Sequence, residues 1–263
     1  MSDATEPAPA RPSATIMLVR DGARGLEVFM VVRERPMDGA MGALVFPGGK
    51  VDAEDDGPAW CAATPPVAAP GRRYWIAAIR ETFEEAGLLI ATRRDQPDML
   101  IDAATAADVV ARHRIRLLDC ATGFAEILAE EALVPALSHL VPFAHWQTPV
   151  DLPKRFDTHF FLVAAPPGQQ PLHDGREMAD GFWIAAGDII AEAAAGKRVL
   201  VPATRFNLEL LAESRTVAEA IAAARARRIV TVLPRRVVTP DGPRMMIPPE
   251  AGYPASSFPS RRG

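Results

Sequence analysis

The stretch that decides the fold is Arg80-Glu81-Thr82-Phe83-Glu84-Glu85-Ala86-Gly87-Leu88, which predicts a helix that ends at its glycine. At about 100° per residue, its three glutamates share one face. Gly87 supplies the left-handed conformation that ends helices at little cost. The opposite face is apolar and suited to packing on a sheet; it carries Ile76, Ile79, Phe83 and Ala86. We therefore expect a helix from about Tyr74 to Ala86.

The three glutamates suit a hard divalent cation, which prefers several oxygen ligands. The turn Phe46-Pro47-Gly48-Gly49-Lys50-Val51-Asp52 lies upstream, and its backbone is able to approach the same ion. A solvated helix face shows the same pattern, because like charges at i, i+4 cost only a few tenths of a kcal/mol when exposed. In an enclosed cleft the repulsion would be about 3 kcal/mol per pair at an effective dielectric constant of ~20, and a cation would relieve it. The helix alone leaves both interpretations open.

Together, the turn and the helix resemble the Nudix box: Gly, five residues, Glu, seven residues, then Arg-Glu-apolar-any-Glu-Glu-any-Gly-apolar. Gly49 matches the first glycine, and the string from Arg80 to Leu88 matches the second half. Thr82 stands where the box usually has an aliphatic residue. The match includes the Phe-Pro-Gly-Gly that leads into the box.

The middle of the box is split. Asp55 stands where the box has its first glutamate, and Arg80 follows 17 residues later than the pattern would place it. The segment 56–73 contains the pairs Gly57-Pro58, Pro65-Pro66 and Pro70-Gly71, which predict a loop. The insertion leaves open whether Asp55 still pairs with Arg80. Larger members with a split box exist, including the peroxisomal coenzyme A diphosphatase branch.

The resemblance implies a Nudix-type α/β/α sandwich with a mixed sheet over residues 14–213. A hairpin of Ala14–Arg20 and Leu26–Arg33 is expected first, then a short strand at Leu44–Phe46 and the split box. A helical insertion is expected over about 102–143, in which Thr122–Phe143 is a candidate helical lid or packing subdomain. Residues 1–13 are interpreted as a disordered tail. Residues 214–263 are expected to form a helix and an extended arm, a candidate for homodimer contacts.

The resemblance also implies the roles of the site residues. Glu81, Glu84 and Glu85, with the Gly49 carbonyl, would hold Mg²⁺ or Mn²⁺. Either Glu85 or Glu84 would be the base, and Arg80 would orient a carboxylate. A further acidic ligand often follows the box, for which Glu177 is chosen over Asp174 and Asp180. The side chains expected near phosphate oxygens are those of Arg33, Arg35 and Lys50.

Composition narrows the function classes. The net charge of −4 gives no indication of a nucleic-acid-binding surface or a basic membrane patch. No apolar run reaches the ~18 residues of a membrane span, and residues 1–13 lack the pattern of a signal peptide, so a cytoplasmic location is expected. Two cysteines are too few for a disulfide framework or a zinc ribbon. The five histidines show no ligand spacing and are interpreted as structural or surface residues.

The expected function is metal-dependent hydrolysis of the diphosphate of a nucleoside diphosphate linked to another group, a small-molecule substrate. Coenzyme A or an acyl-CoA is the leading choice, since the Trp146-Gln147-Thr148-Pro149 and Arg155-Phe156-Asp157-Thr158 strings are similar to the split-box branch. The Leu-Arg pair of compact coenzyme A diphosphatases is absent. ADP-ribose or another dinucleotide is the alternative substrate. A non-catalytic nucleotide- or CoA-binding module is the other alternative, and loss of box glutamates would have favoured it.

Overall fold

The computed structural model describes residues 7–33, 42–64, 67, 70–172 and 178–260, which contain fifteen strands, seven α-helices and three short 3₁₀ helices. The strands are β1 (Ala10–Gly22), β2 (Gly25–Arg33), β3 (Ala43–Val45), β4 (Gly48–Lys50), β5 (Ala91–Arg93), β6 (Gln96–Leu100), β7 (Leu133–Pro135), β8 (Val141–Gln147), β9 (Arg155–Ala164), β10 (Met178–Ala185), β11 (Val199–Leu200), β12 (Thr231–Val232), β13 (Arg235–Thr239), β14 (Gly242–Met246) and β15 (Ser257–Pro259). The helices are α1 (Ala59–Ala63), α2 (Arg72–Ala86), α3 (Ala103–Leu118), α4 (Phe124–Glu130), α5 (Ala186–Ala194), α6 (Pro202–Leu211) and α7 (Val217–Ala226).

A nine-stranded mixed sheet forms the middle layer, in the order β11-β3-β2-β1-β9-β8-β12, with β10 also paired to β2 and β4 to β1. One apolar core lies between this sheet and α2, α3 and α4. A second core lies on the opposite face, against α5, α6 and α7. The expected α/β/α sandwich with a mixed sheet is therefore the observed fold.

Strand β1 is buried on both faces, which explains its nearly continuous run of apolar residues. Ile16 and Leu18 enter the first core, and Met17 and Val19 enter the second. The strand starts earlier than the sequence indicated. Ala10–Ser13, expected to be part of a disordered tail, pair in parallel with Arg155–Thr158 of β9.

Helix α2 carries the glutamates and begins two residues before the expected start. Ile76, Ile79 and Phe83 are completely buried against the sheet. The helix ends at Gly87, which adopts φ 63°, as its position predicted. The apolar face fixes the rotation of the helix, and this rotation turns the glutamates toward β4.

The two insertions differ from their predicted structure. Within the segment 56–73, expected to be a loop, the short helix α1 places Trp60 in the first core against Phe124. Helices α3 and α4 form as expected after residue 102, but the candidate lid Thr122–Phe143 continues into β7, a 3₁₀ turn and β8. Both helices contribute side chains to the core around α2. They buttress this helix.

The C-terminal region contains more strand than the sequence indicated. After α7, strand β12 extends the central sheet, and β13, β14 and β15 form a separate three-stranded sheet. Within the described part of the chain, no helix has both the length and the apolarity needed to cross a bilayer.

Candidate metal centre

The glycine turn lies directly on the glutamate face of α2. The N–H of Gly48 donates a hydrogen bond to Oε2 of Glu85 at 2.8 Å. A Cβ atom added to Gly49 would lie 2.4 Å from Oε1 of Glu81, so any other residue here would displace this carboxylate. Gly48 has φ 150°, and its own Cβ would lie 2.4 Å from the Ala14 carbonyl oxygen. Strand β4 reaches this position because it pairs with Ser13–Thr15 of β1.

Arg80 organises the carboxylates around the turn. Its Nε and Nη2 atoms donate to Oδ1 and Oδ2 of Asp55, each at 2.9 Å. Its Nη1 atom lies 3.2 Å from carboxylate oxygens of Glu81 and Glu84. Nη2 also donates to the Lys50 carbonyl at 2.9 Å, which attaches the glycine turn to the same guanidinium. The pairing of Asp55 with Arg80, which the insertion left open, is thus formed.

The charges at this centre are unbalanced. Burial would lower the pKa of Arg80, but the hydrogen bonds to Asp55 and the nearby carboxylates hold it above its usual value. Burial raises the pKa of Glu81 to about 7, and Arg80 only partly opposes this rise. The pKa of Glu84 is also raised, again chiefly by burial. One guanidinium therefore faces more carboxylate charge than it neutralises.

The C-terminal end of α2 is fixed by Arg114 of α3. The Nη2 atom of Arg114 donates to the carbonyl oxygens of Glu84 at 2.7 Å and of Glu85 at 3.0 Å, and Nε donates to Glu84 at 3.0 Å. The last carbonyls of a helix have no partner within the helix, and a cation favours that end of its dipole. The buried Arg114 therefore holds the backbone that carries two of the glutamates.

This donor set fits a hard divalent cation. Carboxylates, a backbone carbonyl and water are the ligands that Mg²⁺ and Mn²⁺ prefer. The Gly49 backbone lies close to the Glu81 carboxylate, and the excess negative charge favours binding of a cation. A cavity of about 180 Å³ opens beside Glu85 and is smaller than a typical pocket for a whole ligand. It is lined by Phe29, Val31, Glu85, Ala86, Pro171, Asp180 and Gly181.

Comparison with known proteins shows which family this chain belongs to. The family model described as "NUDT19 Nudix domain" matches residues 66–211, more than half of the chain. The chain belongs to the Nudix family. This confirms the family that the split box indicated.

Two curated relatives and one solved structure are similar to the chain. "Putative nudix hydrolase 7" of Caenorhabditis elegans is 29% identical over 210 residues, 77% of this chain and 61% of that protein. "Acyl-coenzyme A diphosphatase NUDT19" of Gallus gallus is 26% identical over 216 residues, 63% of this chain and 56% of that protein. The chain thus spans about three fifths of the length of these relatives. The crystal structure of a Nudix hydrolase from Alicyclobacillus acidocaldarius matches this chain with 28% sequence identity and a TM-score of 0.66. The match covers 82% of this chain and 96% of the chain in that structure.

The structure brings together most of the residues that the Nudix box indicated, namely Gly49, Asp55, Arg80, Glu81, Glu84 and Glu85. Lys50 contributes its carbonyl to Arg80, while its side chain is exposed. Arg33 ends β2, opposite Met178 of β10. Three candidates, Arg35, Asp174 and Glu177, lie outside the described residues. Asp180, a rival of Glu177, lines the cavity beside Glu85.

Sequence reasoning missed two features of this Nudix domain. Arg114 lies on a different helix, and no local pattern connects it to the glutamates. His145 and His159 were interpreted individually, yet their rings stack with centroids 3.9 Å apart next to Asp157. The available signal was the i, i+2 spacing of Asp157 and His159, which places both on one face of a strand.

Proposed function

We propose that this Nudix protein hydrolyses the diphosphate linkage of a nucleoside diphosphate joined to a second group, using Mg²⁺ or Mn²⁺, and that its substrate is coenzyme A or an acyl-CoA. The observation that carries the proposal is the contact of the Gly48–Gly49 turn with Glu85 and Glu81. This contact makes the glutamates part of an enclosed oxygen-rich centre, which a solvated helix face would not be.

Glu81, Glu84, Glu85 and the carbonyl of Gly49 are proposed to hold the cation. When bound, the cation neutralises charge on the two phosphates and on the leaving group. Arg80 holds Glu81 and Glu84 in place by charge-assisted hydrogen bonds. Glu177 as a further acidic ligand stays a prediction.

Glu85 is proposed as the general base in preference to Glu84. The N–H of Gly48 fixes the orientation of its carboxylate, and the same residue lines the cavity. Glu84, by contrast, is engaged through both oxygens by Arg80. Glu85 would accept a proton from the water whose oxygen attacks phosphorus, while the bridging P–O bond breaks and the other phosphate leaves.

The substrate proposal has separate support. The chicken relative is named an acyl-coenzyme A diphosphatase, and the family model carries the same NUDT19 description. Arg33, Arg35 and Lys50 are proposed to meet phosphate oxygens of the substrate. The cavity of about 180 Å³ would hold only one part of so large a molecule. A homodimer and a cytoplasmic location also stay predictions.

The test is a panel assay with Mg²⁺ or Mn²⁺ on coenzyme A, acyl-CoA, ADP-ribose, NADH and diadenosine polyphosphates, with products identified by mass. We expect cleavage of coenzyme A or acyl-CoA into two phosphorylated products. Glu85→Gln should lose at least about 100-fold in turnover, in the range typical of general-base removal. Glu54→Gln, at an exposed position in the 3₁₀ turn of Asp55, is the matched control and should retain full activity.

Each outcome decides one part of the proposal. Preferred cleavage of ADP-ribose or a dinucleotide would overturn the substrate assignment but would still support the proposed hydrolase activity. Full activity of Glu85→Gln would overturn the assigned base. No cleavage of any panel member by the folded wild-type protein would favour a nucleotide- or CoA-binding module.

A further inference from the structure

A second cluster of metal-binding side chains lies at the other end of α2. His145 belongs to β8, and Asp157 and His159 belong to β9. Nε2 of His145 is 2.5 Å from Oδ1 of Asp157, and the two imidazole rings stack at an interplanar angle of 8°. One ligand atom of each residue lies within 4.8 Å of those of the other two.

The register of the sheet fixes where this cluster lies. One row of paired residues crosses five neighbouring strands of the sheet. In order across the sheet, it consists of Gly49, Ala14, His159, His145 and Thr231. Since strands are about 4.8 Å apart, the backbone of His159 lies about 10 Å from that of Gly49. The row thus joins the glycine of the Nudix box to the two histidines.

Helix α2 crosses the same row. The ring of Tyr74 packs on His159 with centroids 4.4 Å apart, and Glu81 meets Gly49. Tyr74 and Glu81 are seven residues apart, about 10.5 Å along a helix, which matches the spacing of the row. The two clusters are therefore separate and lie beneath opposite parts of one helix.

The ligand types in the two clusters differ. The box glutamates offer only oxygen, whereas the second cluster offers two imidazoles and one carboxylate, a set that suits Zn²⁺ and related transition metals. We propose that His145, Asp157 and His159 form a site for a divalent transition metal of the Zn²⁺ class, distinct from the Mg²⁺ or Mn²⁺ centre of the box.

The arrangement allows such an ion after a small adjustment. Bonds of 2.0–2.1 Å at tetrahedral angles would separate two ligand atoms by about 3.3 Å. The present separation is 2.5 Å between His145 and Asp157, and no pair of ligand atoms in the cluster is more than 4.8 Å apart. The ion would replace the proton shared by His145 and Asp157 and release it to solvent, while the His159 ring tilts out of the stack.

The partners that orient metal ligands in proteins are already present. Nδ1 of His145 lies 2.8 Å from the hydroxyl of Thr231. Nε2 of Gln147 donates to Oδ1 of Asp157 at 3.0 Å, and the hydroxyl of Tyr74 donates to Oδ2 at 3.3 Å. These bonds fix the carboxylate and one ring while leaving the cluster partly exposed, with 15% of the His145 side chain accessible.

Some of the groups around the cluster favour a bound cation and others oppose it. Burial and the neighbouring His145 lower the pKa of His159 to about 4, so its ring is neutral, as a metal ligand must be. Burial would raise the pKa of Asp157, but its hydrogen bonds with His145 and Gln147 outweigh this and lower it. Arg73 also acts on His159 and opposes a cation there. The charges of Asp157 and Arg73 offset each other, so the imidazole nitrogens would supply most of the binding energy. This again favours a transition metal over Mg²⁺.

The experiment is a calorimetric titration of Zn²⁺ into the metal-free full chain, with excess Mg²⁺ present to occupy the box centre. We expect one Zn²⁺ per chain. His159→Gln and Asp157→Asn should each lose stoichiometric binding, and Tyr74→Phe should weaken it about 10-fold. His139→Gln, a matched change outside the cluster, should bind as the wild type does. Glu85→Gln should also retain the Zn²⁺ site, so this test does not depend on the proposed hydrolase activity.

A second measurement avoids relying on variants. In a ¹H–¹⁵N spectrum of the histidine rings, Zn²⁺ should shift the nitrogens of His145 and His159 and leave those of His113 and His139 in place. Absence of a Zn²⁺ equivalent in the Mg²⁺-saturated wild type would overturn the proposal. So would stoichiometric binding that survives both His159→Gln and Asp157→Asn, or ring shifts confined to His113 and His139. The cluster would then be a hydrogen-bonded network that joins α2 to the sheet.

Discussion

The guanidinium of Arg80 and the carboxylate of Asp55 form a two-point ion pair across the insertion, with both N–O distances 2.9 Å. Both side chains are almost fully buried. Asp55 also accepts a hydrogen bond from the N–H of Asp52 at 2.7 Å, which closes the 3₁₀ turn that follows the glycines. The pair therefore fixes the position of α2 relative to the glycine turn, whatever the length of the chain between them.

Asp55→Asn tests this pair. Because the change leaves a buried guanidinium without its main counter-charge, we expect it to lower the free energy of unfolding by about 3–5 kcal/mol. Asp52→Asn is the matched control, since Asp52 is exposed and lies 3.5 Å from the same guanidinium. It should cost less than about 1 kcal/mol. Urea unfolding measures both, and equal losses would show that the buried pair has no special role.

Substitutions at the two glycines of the turn should distinguish an effect on metal binding from an effect on the stability of the fold. Gly49→Ala places a methyl group against the end of a flexible side chain, Glu81, so we expect a folded protein with weaker Mg²⁺ binding. Gly48→Ala places it against the Ala14 backbone at φ 150°, and should destabilise the protein by about 1–3 kcal/mol or more. Thermal unfolding with and without Mg²⁺ distinguishes the two. An unchanged Mg²⁺ effect in Gly49→Ala would argue against Glu81 as a ligand.

Arg114→Gln should loosen the end of α2. The change removes charge-assisted hydrogen bonds to the carbonyls of Glu84 and Glu85, which are worth about 1.5–3 kcal/mol. We expect lower stability and faster amide exchange in the last turn of α2. Arg112→Gln, two residues earlier on the exposed side of the same helix, is the control and should change stability by less than about 1 kcal/mol. Unaltered exchange in the last turn of α2 would contradict the capping role.

Tyr253→Phe tests how the C-terminal region is attached. The indole N–H of Trp146 donates to the Tyr253 hydroxyl at 2.8 Å, and that hydroxyl donates to Oδ1 of Asn207 at 2.7 Å. Its loss leaves two buried groups without their partner, so we expect a cost of about 1–3 kcal/mol. Catalytic rates should not change, because these residues lie in the core on the sheet face opposite α2.

The control for this change is Thr239→Val in the same C-terminal region. It removes a hydrogen bond to the Gly242 carbonyl in a partly exposed hairpin and should cost less than about 1 kcal/mol. A reduced turnover in Tyr253→Phe at unchanged stability would show that the C-terminal region communicates with the box.

The sequence predicted the parts of the fold whose pattern is local. The helical spacing of Ile76, Ile79 and Phe83 indicated the buried face of α2, and the glycine after Ala86 indicated its end. The apolar runs of β1 and β2 likewise indicated strands. The box spacing indicated which carboxylates and which glycine belong to one centre, because a family pattern encodes a three-dimensional arrangement in a linear form.

The remaining features depend on pairings between distant residues. Ala10–Ser13 look like a tail in the sequence and become strand because β9 provides a neighbour for them. Trp60 lies between prolines and glycines, and only the position of Phe124 on α4 reveals that it is a core residue. His145 and His159 lie 14 residues apart, and the antiparallel register alone places them opposite each other.

The pairing of β1 has a practical consequence for handling this protein. The half of β1 that pairs with Gly48, Gly49 and Lys50 lies at its N-terminal end, since Ser13 is opposite Lys50 and the Pro12 carbonyl accepts a hydrogen bond from the N–H of Val51. Shortening the N-terminus past Ala10 would remove backbone partners of the glycine turn. Affinity tags and fusion partners are better joined at the N-terminus through a spacer, with every residue from Ala10 onward retained.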